Sequence, residues 1–188
     1  NIKGSRSIIF SVVRYGNVMG SRGSVIPFFL SKKDGEELTI TDSRMTRFNI
    51  TLNEAVDLVI FALENATGGE IFVPKLPSYK ITDLAKASAP KCKIRYIGIR
   101  PGEKLHEEMV TLPESINTYE TKKYYIILPS IQFFATNTNL KNSIKKLGAK
   151  KVKNEFSYSS GNNKHFLKVN ELKKLIDLNI LSNGNYTK

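Results

Sequence analysis

The 188-residue sequence predicts an α/β fold, and three observations carry that expectation. Short apolar runs of strand length alternate with stretches whose apolar residues recur at helical spacing. Gly, Pro, Asn and Ser clusters and helix-capping signals punctuate the boundaries between them. The chain is also long enough for one domain with a real core, since a chain of this size buries roughly 70% of its unfolded surface.

The elements follow in order. Ser7 to Arg14 reads as a buried strand that runs into a turn punctuated by Gly16, Gly20 and Gly23 and carrying Asn17 and Arg22. Val25 to Leu30 is a new apolar element. The glycine spacing is not Gly-x-Gly-x-x-Gly, and Pro27 falls where a phosphate-binding helix should start, so the cluster reads as a ligand-facing loop rather than a primary dinucleotide turn. Glu37 to Thr41 is a second strand. Thr51-Leu52-Asn53-Glu54 has the capping-box form ahead of Ala55, Val56, Leu58, Val59, Ala62 and Leu63, a helix that should stop at Gly68-Gly69.

Glu70 to Val73 and Lys93 to Ile97 are expected as strands, with a helix from Asp83 to Ser88 between them, capped by Thr82 and ended by Pro90. Lys104 to Val110 is a third helical run. Leu112 to Lys123 is polar, contains Pro113 and is expected to cross the surface before a strand from Tyr124 to Leu128. Leu140 to Leu147, with Gly148 after it, reads as a helix with a C-terminal cap. Val169, Leu172, Leu175 and Ile176 give the last helix one apolar stripe. The best linear division separates residues 1–123 from a C-terminal appendage, 124–188.

Composition narrows the function. The net charge is +12, of which residues 141–188, with 11 Lys against 3 acids, supply +8. A basic tail can serve nucleic acid or an anionic membrane surface. This one lacks Arg and shows no interleaving of basic and aromatic residues, so a solvated Lys-rich surface is favoured and no nucleic acid or membrane partner is expected. No apolar run reaches the ~20 residues of a membrane helix and no secretory pattern opens the chain, which points to a soluble, cytoplasmic protein. The single Cys92 has no partner for a disulfide and no metal-ligand spacing around it.

Three constellations carry chemistry. In Arg100-Pro101-Gly102-Glu103, an Arg ahead of a Pro-Gly turn sits on extended backbone with its planar fork free for a diphosphate, and Glu103 can accept from a ribose hydroxyl. In Arg44-Met45-Thr46-Arg47-Phe48, two Arg flank a Met-Thr pair, Arg44 being expected to face solvent or Asp42. In the opening loop, Asn17 offers a donor and an acceptor at fixed separation. His106 and His165 are lone and read as structural. Tyr119-Glu120-Thr121-Lys122-Lys123 matches Tyr-x-x-x-Lys, but it lies in a charged, Pro-led crossing before a strand and is set aside.

The segments Arg14-Tyr15-Gly16-Asn17, Met45-Thr46-Arg47-Phe48, Arg100 to Met109 and Phe156 to Leu167 together resemble the later part of the extended short-chain dehydrogenase/reductases. The resemblance is closest to the inverting UDP-N-acetylglucosamine 4,6-dehydratases of the pseudaminic-acid pathway, which serve surface glycan and flagellin glycosylation. It implies the C-terminal part of a Rossmann-like fold plus the substrate-binding subdomain. It also implies that Asn17, Arg47, Arg100 and Glu103 bind the nucleotide-sugar and that Val18 lies against the nicotinamide. The tail motif has no chemistry assigned and is expected to support packing or oligomer contacts. In such enzymes NADP oxidises C4, water is eliminated across C5 and C6, and hydride returns to C6. The Gly-rich first turn, the acid/base pair and the Tyr-x-x-x-Lys helix of that family are missing, so the chain is expected to be a fragment without catalytic residues. In complete form it would be a homo-oligomeric lyase acting on UDP-N-acetylglucosamine. The alternatives are a standalone nucleotide-sugar-binding module, a related UDP-sugar epimerase, or a nucleic-acid-binding protein driven by its Lys tail.

Overall fold

The computed structural model describes residues 8–130 and 137–182. The strands are β1 (Val12–Val13), β2 (Asn17–Val18), β3 (Glu37–Ile40), β4 (Thr46–Ile50), β5 (Ile71–Pro74), β6 (Ser78–Lys80), β7 (Lys93–Tyr96), β8 (Glu108–Val110), β9 (Thr118–Glu120), β10 (Tyr124–Ile127), β11 (Lys150–Lys151) and β12 (Tyr158–Ser159). The helices are α1 (Val25–Leu30), α2 (Leu52–Asn65), α3 (Ile81–Ser88), α4 (Asn137–Lys146) and α5 (Val169–Ile176). The chain divides into two compact units, each assembled from separated stretches of sequence: 1–15, 53–75 and 109–158 in the first, 16–52, 76–108 and 159–188 in the second. Positions 123 and 124 both fall in the first.

The first unit is built on a five-stranded sheet of order β1-β5-β10-β9-β11. β1 lies parallel to β5, with Val12 opposite Ile71, and the other pairings are antiparallel. Phe72, Ile126, Leu58, Ala62 and Ile144 form its core. Phe61 stacks on Tyr124 at 4.2 Å between ring centroids and meets Phe72 edge-on at 5.7 Å. In α2 the expected apolar stripe divides into two. Ala55, Leu58 and Ala62 are buried, whereas Leu52, Val56, Val59, Ile60 and Leu63 are exposed.

Arg14, just past β1, is a structural tie in this unit. Its guanidinium donates to both oxygens of Glu114, at 2.9 and 3.0 Å, and to the Met109 carbonyl at 2.8 Å. Burial pushes the Glu114 pKa up, but the hydrogen bonds from Arg14 and from Thr111 outweigh it and hold the carboxyl below the ordinary glutamate value. Bidentate Arg–carboxylate geometry accounts for the strength of that effect.

The second unit holds two small sheets. β2 and β6 flank β4, the first parallel and the second antiparallel, while β3 lies parallel to β7. Along β3 the alternation puts Leu38 and Ile40 inward and leaves Glu37 exposed. They join Phe29, Tyr79, Leu84, Leu172, Ile176 and Ile180 in one core. Burying each such side chain contributes about 1.5–3 kcal/mol. Gly16 has a packing reason, because a Cβ there would stand 2.5 Å from Cβ of Phe48. Gly20, at φ +74°, is backed by Ile180. Gly16 therefore lets its backbone approach that of Phe48, and Gly20 makes room for the Ile180 side chain.

All five expected strands are present, although β1 is shorter than the expected run and Ser7 lies outside the described residues. Three local expectations are corrected. Lys104 to Val110 is not a helix: the Leu105 carbonyl accepts from Thr46 N–H and the Glu107 carbonyl from Ser160 N–H, so tertiary partners take the backbone groups a helix would use. The third helix begins at Ile81, whose N–H donates to the Met45 carbonyl, so Thr82 lies inside it and Lys80 is its cap position. The stretch 112–123 contains a 3-10 helix, Pro113–Asn117, and β9, an interior strand of the sheet.

Two consequences can be measured by urea unfolding. Leu172→Ala, at a fully buried position, is expected to cost about 2–5 kcal/mol, whereas Leu63→Ala, at a side chain 77% exposed, should leave the midpoint nearly unchanged. A carboxyl whose folded pKa is depressed adds stability above its unfolded value, here 4.5, and loses it as pH falls through the folded value. Glu114→Gln should therefore flatten the loss of stability on acidification below 4.5. An unchanged acid limb would contradict that role.

Candidate functional site

The site is organised around β4. β2 runs parallel to it, with Asn17 opposite Asn49 and Val18 opposite Ile50. β6 runs antiparallel on its other side and places Tyr79 opposite Arg47. The segment 105–107 attaches through the bond from Thr46 N–H to the Leu105 carbonyl, 2.9 Å. That attachment carries Glu107 to Arg47 and Asn17.

Glu107 is a site residue that no sequence pattern singles out. Its carboxylate lies 3.5 Å from Arg47 Nε, accepts the backbone N–H of Phe48, and stands 2.8 and 3.0 Å from Asn17 Nδ2 in the amide orientation that satisfies both groups. Burial pushes the Glu107 pKa above the ordinary glutamate value, with Arg47 and the Phe48 N–H opposing that shift. Burial, reinforced by the Glu107 charge, also raises the Tyr79 pKa and keeps the phenol neutral. The available signal in the sequence was the doubled acid after His106; nothing local says which of the two faces inward.

Each expected site residue has a definite place. Asn17 is exposed at the start of β2 and Val18 follows it, half-buried. Arg47 is held inward at 17% exposure. Its Nη1 donates to the Thr46 and Leu105 carbonyls and its Nη2 to the Met45 sulfur. Arg44 pairs with Asp42 at 2.8 Å, as the spacing implies.

Arg100 and Glu103 form a separate feature of the same unit. Glu103 N–H donates to the Arg100 carbonyl at 3.1 Å, and the Glu103 carboxylate accepts from Arg100 N–H at 3.0 Å. With Pro101 second and Gly102 third at φ +84°, this is a type II turn that needs glycine where it stands. The Arg100 side chain is exposed and pairs with no described acid. The turn thus presents an exposed planar cation on backbone closed by two hydrogen bonds. Glu107 joins Asn17 to Arg47; no bond among the described residues joins the Arg100 turn to either.

Behind the site lies the tail motif. Ser160, fully buried, accepts from Glu107 N–H at 2.9 Å and donates to the Thr46 carbonyl at 3.1 Å, and its N–H donates to the Glu107 carbonyl at 2.7 Å. Thr46 Oγ1 lies 2.7 Å from both Ser160 Oγ and His106 Nδ1. Any side chain at Gly161 would meet the His106 ring at 2.6 Å. Asn163 donates to the Leu76 carbonyl and to Ser78 Oγ, fastening the same segment to β6. Among the described residues no cluster of His, Cys, Asp or Glu could hold a metal ion, and no helix is long and apolar enough to cross a membrane.

Comparison with known proteins adds the wider setting. A family profile described as polysaccharide biosynthesis protein matches residues 1–129. The UDP-N-acetylglucosamine 4,6-dehydratase (inverting) of Campylobacter jejuni subsp. jejuni serotype O:2 is 51% identical over 181 residues, which cover 94% of this chain and 54% of that protein. A UDP-glucose 4-epimerase of Rickettsia rickettsii is 41% identical, over 93% of this chain and 51% of its own. The X-ray structure of Pen from Bacillus thuringiensis superimposes with a TM-score of 0.74 at 37% identity, over 93% of this chain and 50% of that one. The chain spans about half the length of the curated relatives it matches. The shared architecture bears out the Rossmann-like, extended short-chain dehydrogenase/reductase class expected from the sequence.

Proposed function

The chain belongs to the polysaccharide biosynthesis protein family, and on that premise we propose that it is the nucleotide-sugar-binding part of a UDP-N-acetylglucosamine 4,6-dehydratase of the C5-inverting type. The observation that carries this reading is the Arg100 turn, a glycine-dependent turn whose exposed guanidinium pairs with no described acid, in the same unit as Asn17. The 51% identity to the Campylobacter jejuni dehydratase supports the substrate class.

In this reading Arg100 meets the diphosphate through paired N–H donors, and Glu103, whose carboxylate stiffens the turn, accepts from the ribose. Asn17 meets the sugar side of the ligand. Arg47 contributes its positive charge from beneath, since most of its donors are already committed within the protein. The complete enzyme is a cytoplasmic, homo-oligomeric lyase acting in pseudaminic-acid synthesis.

The chemistry of the complete enzyme calls for NADP, which supplies hydride transfer at the sugar. The glycine cluster of this chain does not supply the pyrophosphate-binding turn of that cofactor. Gly16 is backed by Phe48 and Gly20 by Ile180, so neither of these two glycines opens a cradle for a pyrophosphate. Val18 remains as a neighbour for the nicotinamide.

Calorimetric titration of the chain with UDP-N-acetylglucosamine tests the proposal. Arg100→Ala is expected to weaken binding about 10-fold or more, the usual cost of losing a charge-assisted hydrogen bond. Affinity indifferent to that substitution would contradict the assignment.

A further inference from the structure

An amide side chain can present either end, and its surroundings choose. In the amide orientation that satisfies both of its ends, Asn17 Nδ2 donates to both oxygens of Glu107, at 2.8 and 3.0 Å. The opposite orientation would set the Asn17 carbonyl against an ionised carboxylate, acceptor against acceptor. The charge on Glu107 therefore decides which end of the Asn17 amide turns toward it and which turns away. The carboxylate is held by Arg47 Nε at 3.5 Å and by the Phe48 N–H, and the main chain that carries it is bonded in both directions to fully buried Ser160, itself bonded to Thr46 on β4.

The geometry points to Glu107 as a positioning residue: it turns the Asn17 amide so that the site presents a carbonyl oxygen to a hydroxyl or N–H donor of the ligand, and Ser160 holds Glu107 in place to do so. The ligand part of this inference rests on the nucleotide-sugar reading; the orientation of Asn17 does not. A sugar hydroxyl or an acetamido N–H is a donor of the required kind, whereas a diphosphate oxygen is not. Asn17 is thereby assigned to the sugar end and the diphosphate is left to Arg100.

The arrangement also depends on protonation. Protonated Glu107 can donate to the Asn17 carbonyl oxygen, which removes the bias and lets the amide turn over. The charged and titratable groups facing Glu107 are Arg47 on β4 and Tyr79 on β6, with His106 beside it in sequence and engaged to Thr46; β2 contributes Asn17 alone. Burial raises the Glu107 pKa, whereas Arg47, the Phe48 N–H and the Asn17 amide oppose that shift, so the turnover of Asn17 follows protonation of the Glu107 carboxyl as pH falls.

The experiment follows the Asn17 side-chain NH2 pair in ¹⁵N-labelled full chain by NMR, assigned through Asn17→Asp, as pH falls from about 8 to about 4. The expected result is a titration of the Asn17 pair that survives His106→Gln and vanishes in Glu107→Gln. Asn17 resonances that ignore both pH and Glu107→Gln overturn the inference, and the wild-type titration decides this even where a variant fails to fold. In a second arm, Glu107→Gln is expected to weaken UDP-N-acetylglucosamine about 2- to 10-fold, the range of one neutral hydrogen bond, with UDP alone little affected. Equal weakening of both ligands, or of neither, overturns the assignment of Asn17 to the sugar. Wild-type chain that binds neither ligand counts against the nucleotide-sugar reading while the titration still decides the orientation.

Discussion

The second unit depends on one half-buried carboxylate. Glu107 is placed where a negative charge is costly, and the cost is offset by Arg47, the Phe48 N–H and the Asn17 amide converging on it. Removing any one of them would leave the others partly unsatisfied, which is why truncating one member of such a cluster costs more than the pair contributes. β4 supplies two of these partners from adjacent residues, and β2, β6 and the segment 105–107 are all hydrogen-bonded to β4. The site is therefore as rigid as that strand.

In the proposed function such rigidity would serve recognition, because donors and acceptors already in place lose little entropy when a ligand arrives. Two roles are separated within the unit. The Arg100 turn offers charge on an exposed, glycine-dependent loop, and the Glu107 cluster orders the polar end of β2 from beneath. Arg47 acts with the Glu107 cluster, since its Nη groups are committed to carbonyls and to sulfur and its charge acts through Glu107. Arg14 serves neither role; its bidentate pairing with Glu114 organises the first unit.

Much of this was legible in the sequence. The apolar runs at Glu37–Ile40, Lys93–Tyr96 and Tyr124–Ile127 appear as strands because alternation and β-branched content are local properties. The Pro-Gly turn after Arg100 was readable for the same reason. Strands such as Thr46–Ile50 and Ser78–Lys80 were not, since they are short, polar and fixed by pairing with residues far along the chain. The helix expected at Lys104 to Val110 failed because Thr46 and Ser160 claim its backbone groups. Glu107 and Ser160 stayed hidden for a related reason: their importance comes from partners 53 and more residues away, which no local pattern encodes. That each unit draws on three separated stretches of sequence is likewise a product of long-range contacts within it.

The most direct test of the account is a crystal structure of the chain with UDP-N-acetylglucosamine bound. The expected complex has the diphosphate within hydrogen-bond reach of the Arg100 guanidinium, a hydroxyl or acetamido N–H of the sugar donating to Asn17 Oδ1, and Glu107 still bonded to Asn17 Nδ2. A ligand seated away from the Arg100 turn, or an Asn17 amide donating to phosphate with Glu107 displaced, would contradict it.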